Sequence, residues 1–133
     1  MIVFVDTSGV LAMLDASDRG HARAAAAWKR LIEGGASLIT TSYVLVELIA
    51  LAQHRLGIAA VRDIDGTLVP LMRVIWVDGT LHTRGMAAVL TSGRRKLSLV
   101  DCVSFEVMRE GGINRAFTLD HDFSQQGFTR VPQ

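Results

Sequence analysis

Four acidic residues, Asp6, Glu47, Asp101 and Asp120, stand at positions where a charge asks for an explanation. Asp6 follows the apolar run Ile2-Val3-Phe4-Val5 directly, and Asp120 follows Ala116-Phe117-Thr118 after a single leucine. Glu47 interrupts the apolar stretch Val44 to Ala52, and Tyr43, Val44, Ala50 and Leu51 at helical spacings offer it no cation. Asp101 has Leu97, Ser98, Ser104 and Phe105 at the same spacings, again with no cation. Each acid has a local account. Aspartates cap helices after strands, Ser98 and Asp101 have the spacing of a capping box, and Glu47 fits an exposed polar stripe with Tyr43 and His54. The set also has a shared account. Hard divalent cations such as Mg²⁺ or Mn²⁺ prefer carboxylate oxygens. Two such ions about 3.5–4 Å apart stabilise the attacking and leaving oxygens of a phosphodiester and lower the pKa of bound water.

The elements that must carry these acids alternate between strand and helix. Apolar runs predict strands at Ile2–Val5, Ser37–Thr40, Val74–Val77 and Ala116–Thr118, with a short fifth at Thr129–Val131. Helices are expected from Thr7 to about Leu14, His21 to Glu33, Ser42 to about Leu56, Ile58 to about Leu71, Gly79 to Thr91 and Leu99 to Arg109. This alternation predicts a three-layer α/β/α domain with a mainly parallel central sheet. In such sheets the site lies beyond the carboxyl ends of the strands. Asp6 and Asp120 are therefore expected at one sheet edge.

With 133 residues and no linker or repeat, the chain is expected to form one domain, residues 1–133. A single cysteine, Cys102, rules out an internal disulfide and a CxxC zinc site. Neither a signal peptide nor an apolar run of about 18 residues is present, which predicts a cytoplasmic protein with no membrane span. The formal net charge is +1. With four acids set aside as a cation-filled centre, the remaining surface is basic and suits a polyanion.

The motifs Val5-Asp6-Thr7-Ser8, the isolated Glu47, Ser98-Leu99-Val100-Asp101-Cys102 and Thr118-Leu119-Asp120-His121-Asp122-Phe123 resemble the PIN domain. Their order and spacing are similar to VapC-like toxins over essentially the whole chain. The resemblance implies that Asp6, Glu47, Asp101 and Asp120 form an acidic quartet binding Mg²⁺ or Mn²⁺. Asp122 competes with Asp120 as the fourth acid or joins it as a ligand. Thr7, Ser8 and Thr118 fit supporting polar positions, beside Ser98 as the cap. It further implies endonucleolytic cleavage of RNA, a cognate antitoxin protein and a homodimer.

Arg94, Arg95 and Lys96 precede Ser98 and are candidates for RNA contacts, with a solvated basic loop as the alternative. Cys102 is expected to be a buried small hydrophobe and His121 an exposed loop residue. Trp28 and Trp76 are expected in the core or at an interface. Two other functions within the same fold are a housekeeping RNA-processing nuclease and an inert scaffold that binds RNA or protein. A phosphotransfer enzyme fits poorly. A haloacid-dehalogenase-like phosphatase needs a second aspartate two residues after Asp6, where Ser8 stands, and a receiver domain needs adjacent acids near its first strand.

Overall fold

The computed structural model describes residues 1–133 and places five parallel strands in the order β3-β2-β1-β4-β5. The strands are β1 (Ile2–Val5), β2 (Ser37–Thr41), β3 (Met72–Ile75), β4 (Arg115–Phe117) and β5 (Thr129–Val131). Seven helices connect them: α1 (Thr7–Leu14), α2 (His21–Glu33), α3 (Ser42–Leu56), α4 (Ile58–Asp63), α5 (Gly79–Ser92), α6 (Leu99–Glu110) and α7 (His121–Gln125). The expected three-layer α/β/α architecture is thus the observed one.

The period-2 geometry of a strand divides the core between the two sheet faces. Val3, Val5, Leu38 and Phe117 pack with Val10 of α1, Trp28 of α2 and Leu48 of α3. Phe4 and Ala116 point the other way, onto Leu81 of α5, Val103 and Met108 of α6, and Phe123 of α7. Strand β1 is central and buried on both faces, which is why it reads as an unbroken apolar run.

The direction of winding reverses beside β1. The chain runs from β1 outward to β2 and β3 on one side, then returns through α5 and α6 to β4 on the other. The carboxyl ends of β1 and β4 therefore flank the point where connections leave in opposite directions, and a crevice opens there.

Two expected elements differ. The helix expected from Ile58 to Leu71 keeps α geometry only to Asp63. A π turn follows over Ile64–Leu68 and a 3₁₀ turn over Val69–Leu71. Pro70 has no N–H to donate, and Gly66 is a weak helix former, so α geometry loses its support there. The buried side chains of Ile64 and Leu68 hold the wider turn against the core. The third strand is Met72–Ile75 rather than Val74–Val77. Its partner β2 ends at Thr41, which pairs with Ile75, so no ladder remains for Trp76. The Val77 N–H instead donates to Ser42 Oγ at 2.9 Å. Trp76 is consequently 75% exposed and outside the core, whereas Trp28 is buried as expected.

Helix α1 reaches the crevice because Gly9 has no side chain. A Cβ there would sit 2.8 Å from both the Phe117 carbonyl oxygen and its ring. Gly9→Ala gains about 1 kcal/mol of helix propensity. It also forces α1 away from β4, at the cost of roughly 1–3 kcal/mol that is typical of overpacking. The backbone carbonyl cannot swing aside, so the clash wins. Urea denaturation of Gly9→Ala is expected to give a lower midpoint than the parent; a raised midpoint would remove the close approach as a constraint.

Candidate active site

Asp6 is the first residue after β1, the N-cap of α1, and only 3% exposed. Its Oδ2 accepts from Ser8 Oγ at 2.8 Å, Thr118 Oγ1 at 2.8 Å and the Ser8 N–H at 3.3 Å. No donor reaches Oδ1. The two hydroxyls are fixed in turn by backbone donors: the Leu119 N–H gives to Ser8 Oγ at 2.9 Å, and the Asp120 N–H gives to Thr118 Oγ1 at 3.0 Å. A closed set of short hydrogen bonds thus ties the end of β1, the start of α1 and the end of β4 together. The capping reading of Asp6 holds, and its carboxylate sits where β1 and β4 end side by side.

Asp120 caps α7 through Oδ1, which accepts the Asp122 N–H at 2.9 Å. Asp101 completes a capping box at the start of α6: Ser98 Oγ accepts the Asp101 N–H at 3.1 Å, and Asp101 Oδ2 accepts the Ser98 N–H at 3.2 Å. The cap does not take Asp101 away from the other acids. Asp101, Asp120 and Asp122 each offer an oxygen, and these atoms lie within 4.8 Å of one another. Asp6 adjoins this triad and repels both Asp101 and Asp120.

Glu47 is placed differently. It lies half-buried on α3, two turns past the carboxyl end of β2, and makes neither an ion pair nor a side-chain hydrogen bond. Its carboxylate is not one of the three closely grouped oxygens. The polar stripe that was its alternative is only partly exposed, because Tyr43 Oη bonds His82 Nδ1 on α5 at 2.5 Å while His54 is exposed.

The electrostatic consequence is sharpest at Asp101, whose pKa is pushed up to about 7. Burial is the main cause, the Asp6 carboxylate adds to it, and the Ser98 hydrogen bonds oppose it. Burial likewise raises Asp6 despite its three donors. One cation enters the group: Arg94 Nη2 stands 3.2 Å from Asp122 Oδ1. The exposed Arg95 and Lys96 follow it on the same loop. Cys102 is buried, and its thiol is pushed up by burial and by Asp101 and Glu106, which disfavours a thiolate nucleophile. His121 is exposed as expected, but it opens the short helix α7 rather than lying in a loop.

Sequence reasoning missed two interactions. Arg130 on β5 gives Nη1 to the Leu119 carbonyl at 3.2 Å and Nε to Ser124 Oγ at 2.7 Å, bracing the turn that carries Asp120. The other is the Tyr43–His82 pair. Neither has a local signal, since the partners meet only through the tertiary fold.

The donor set consists of carboxylate oxygens with hydroxyls behind them, which is the chemistry a hard divalent cation selects. Two observations fit such an ion: the close grouping of Asp101, Asp120 and Asp122 with a single cation beside it, and Thr7 Oγ1, the one buried side-chain polar atom without a hydrogen-bond partner, adjacent in sequence to Asp6.

A five-stranded parallel sheet with clustered aspartates at its switch point places the chain among the open, three-layer α/β domains. Within that class the chain belongs to the PIN-domain family, whose model matches residues 3–128. It is 34% identical over 131 residues to the 23S rRNA-specific endonuclease VapC20 of two Mycobacterium tuberculosis strains, covering 98% of each chain. The crystal structure of M. tuberculosis VapC20, described as a Sarcin-Ricin loop cleaving toxin, superposes with a TM-score of 0.83 at 34% identity over 97% of both chains. FitAcB from Neisseria gonorrhoeae superposes with a TM-score of 0.67 at 16% identity, covering 98% of this chain and 96% of the other, a likeness of fold.

The raised acids have a consequence for folding. Asp101 takes up its proton near pH 7 when folded and near 3.8 when unfolded. The folded state therefore binds the proton more tightly, and metal-free stability falls as pH rises from about 4 to about 7, staying low above that. In EDTA the protein is expected to melt several degrees lower at pH 8 than at pH 5.5, on the scale of roughly 2–8 °C per kcal/mol for domains of this size. Asp101→Asn, which keeps an oxygen for the Ser98 N–H, is expected to flatten that slope and raise the pH 8 melting temperature. An Asp101→Asn protein destabilised equally at both pH values would leave the residue only its capping role.

Proposed function

We propose that this protein is a metal-dependent endoribonuclease, the toxin of a toxin–antitoxin pair, working as one domain over residues 1–133. The carrying observation is the convergence of Asp101, Asp120 and Asp122 within 4.8 Å beside the buried Asp6, at the switch point of the sheet. The full-length likeness to a 23S rRNA-specific endonuclease supports ribosomal RNA as the substrate. Action in the cytoplasm, where that substrate resides, accords with it; no helix is long and apolar enough to cross a membrane.

In this reading Asp6, Asp101 and Asp120 hold Mg²⁺ or Mn²⁺, with Glu47 and Asp122 completing the acidic set. The bound ion supplies an activated water and a counter-charge for the phosphate. Ser8 and Thr118 act behind Asp6. By occupying Oδ2 they leave Oδ1 without a protein donor. Ser98 holds Asp101 in the first turn of α6. Thr7 contributes its free hydroxyl, and Arg94, Arg95 and Lys96 attract the RNA backbone at the rim. Arg94 is suited to this because its pairing with Asp122 already places a guanidinium beside the acids.

A cognate antitoxin is the proposed protein partner, and a homodimer the proposed assembly. The large apolar side chains of Val46, Trp76 and Leu90, each more than two-thirds exposed, support buried protein contacts in the working state.

Purified protein is expected to cut 23S rRNA when Mg²⁺ or Mn²⁺ is present and to lose all cutting in EDTA. Asp6→Asn and Asp101→Asn should each abolish cleavage while remaining folded. Glu47→Gln should behave similarly, and Asp120→Asn should be more severe than Asp122→Asn. Mapping of new RNA ends over a Mg²⁺ titration checks this, and wild-type cleavage by folded Asp101→Asn at low Mg²⁺ would overturn the metal role. Expression without antitoxin should arrest growth; normal growth at verified expression favours a housekeeping nuclease.

Replacing Arg94, Arg95 and Lys96 together by alanine should weaken RNA binding and flatten its salt dependence. Removing one phosphate interaction changes the log–log slope by roughly 0.7 for single-stranded RNA. Filter binding from low to moderate salt reads this directly, and an unchanged slope assigns the three residues to a solvated loop.

A further inference from the structure

A cleft of about 840 Å³ lies away from the acids. It lies between α2 and β5. Met1, Arg115 and Thr129, which line one end of it, stand at the amino ends of their strands, opposite the carboxyl ends that carry Asp6 and Asp120. Its size falls within the roughly 300–1,000 Å³ of clefts that hold ligands.

The cleft exists because α2 presents small residues on this side. Ala22 and Ala26 are exposed, Ala27 and Leu31 form the floor, and Val131 and Pro132 close the far wall. The side-chain charge along it has one sign. Arg23, Arg30, Arg115 and Arg130 line the cleft and no carboxylate side chain does. Arg23 is engaged with the main-chain oxygen of the last residue, Gln133, at 2.9 Å, and Arg130 with Leu119 and Ser124. Arg30 and Arg115 have neither an ion pair nor a side-chain hydrogen bond. The close ion pairs of this fold lie elsewhere, at Lys29 with Glu33, Arg84 with Glu110 and Arg94 with Asp122.

Strand β5 is also the outer strand of the sheet. The Thr129 N–H bonds the Asn114 carbonyl and the Thr118 N–H bonds the Val131 carbonyl, so Thr129 and Val131 face β4. In a parallel ladder the intervening residue, Arg130, then turns its own N–H and C=O outward with no strand to meet them.

We propose that this cleft is a docking site for an extended acidic peptide of a partner protein, laid along the outer edge of β5. The peptide's backbone meets the N–H and C=O of Arg130, its acidic side chains pair with Arg30 and Arg115, and its small apolar side chains rest on Ala26 and Leu31. Main-chain pairing at a sheet edge with alternate side chains in pockets is an established mode of peptide recognition. The lining favours peptide over RNA. No aromatic ring lines the cleft to stack a base, and its floor is apolar. The residues substituted below, Ala26, Arg30 and Arg115, belong neither to the acidic cluster nor to the Arg130 brace of the Asp120 turn, so the test is separate from the nuclease reading.

The test uses the full chain in EDTA, so that the acidic site cannot recruit a metal-bound ligand. Fluorescence anisotropy follows three labelled probes: an octapeptide alternating Glu and Val, its Lys–Val counterpart, and an octauridine RNA. The Glu–Val peptide is expected to bind saturably, and the Lys–Val peptide not to bind. The double variant Arg30→Glu/Arg115→Glu should weaken Glu–Val binding by about tenfold or more, in line with two exposed charge pairs reversed, and should gain the Lys–Val peptide. Ala26→Trp fills the cleft without altering its charge and should also remove Glu–Val binding. All sites substituted are exposed, and thermal melts establish that each variant is folded. Glu–Val binding that is absent up to about 1 mM, or that survives both the double variant and Ala26→Trp, overturns the proposal. Octauridine binding that the double variant abolishes overturns it too, assigning the cleft to RNA.

Discussion

The mutual repulsion of carboxylates gathered at one sheet edge is the constraint on which the rest of the structure depends. Asp6 is almost completely buried, and Asp101 is held up to about 7 by burial and by Asp6 itself. A fold that only minimised free energy would not put these groups together, since an uncompensated buried charge costs several kcal/mol. The cost is limited by what surrounds them. Two hydroxyls and one amide serve Asp6, backbone amides serve Asp101 and Asp120, and a single guanidinium serves Asp122. The remaining negative potential is what a divalent cation answers.

Several local features make sense only through that edge. Gly9 lets α1 approach β4 closely enough for Ser8 to receive the Leu119 N–H. The caps at Asp6, Ser98 and Asp120 start three helices at the crevice, so the positive ends of α1 and α6 moderate the same cluster. Asp6, Asp101 and Asp120 therefore each have a structural task as helix caps. Capping explains why the carboxylates are rigidly placed, and placement at the switch point explains why rigid carboxylates are chemically useful. The caps and the close grouping of the acids are two consequences of one geometry.

The molecule also separates its charges. Acids concentrate at the carboxyl ends of β1 and β4, with Arg94 at their rim, while unpaired arginines line the cleft between α2 and β5. A net charge of +1 conceals this polarity. The chain offers one end to a cation and a polyanion, and another face to an acidic segment.

Much was legible in the sequence because it is written in short-range periodicity. The apolar run of β1, the alternation of strands and helices, the Ser98–Asp101 capping box and the positions of Asp6 and Asp120 after their strands all follow from backbone geometry acting over a few residues. Those features were enough for the parallel α/β/α fold and for a shared edge for two acids. Tertiary structure decided what depends on partners distant in the chain. β3 slides to Met72–Ile75 because β2 ends at Thr41, and the segment after Asp63 leaves α geometry where Ile64 and Leu68 meet the core. Asp122 joins Asp101 and Asp120 at close range, a trio that does not include Glu47, and Arg130 braces the Asp120 turn from the outermost strand. The physical reason is the same in each case. Local pattern specifies which residues a strand or helix presents, but the distance between two charges is set by strand order and packing, which no short stretch of chain contains.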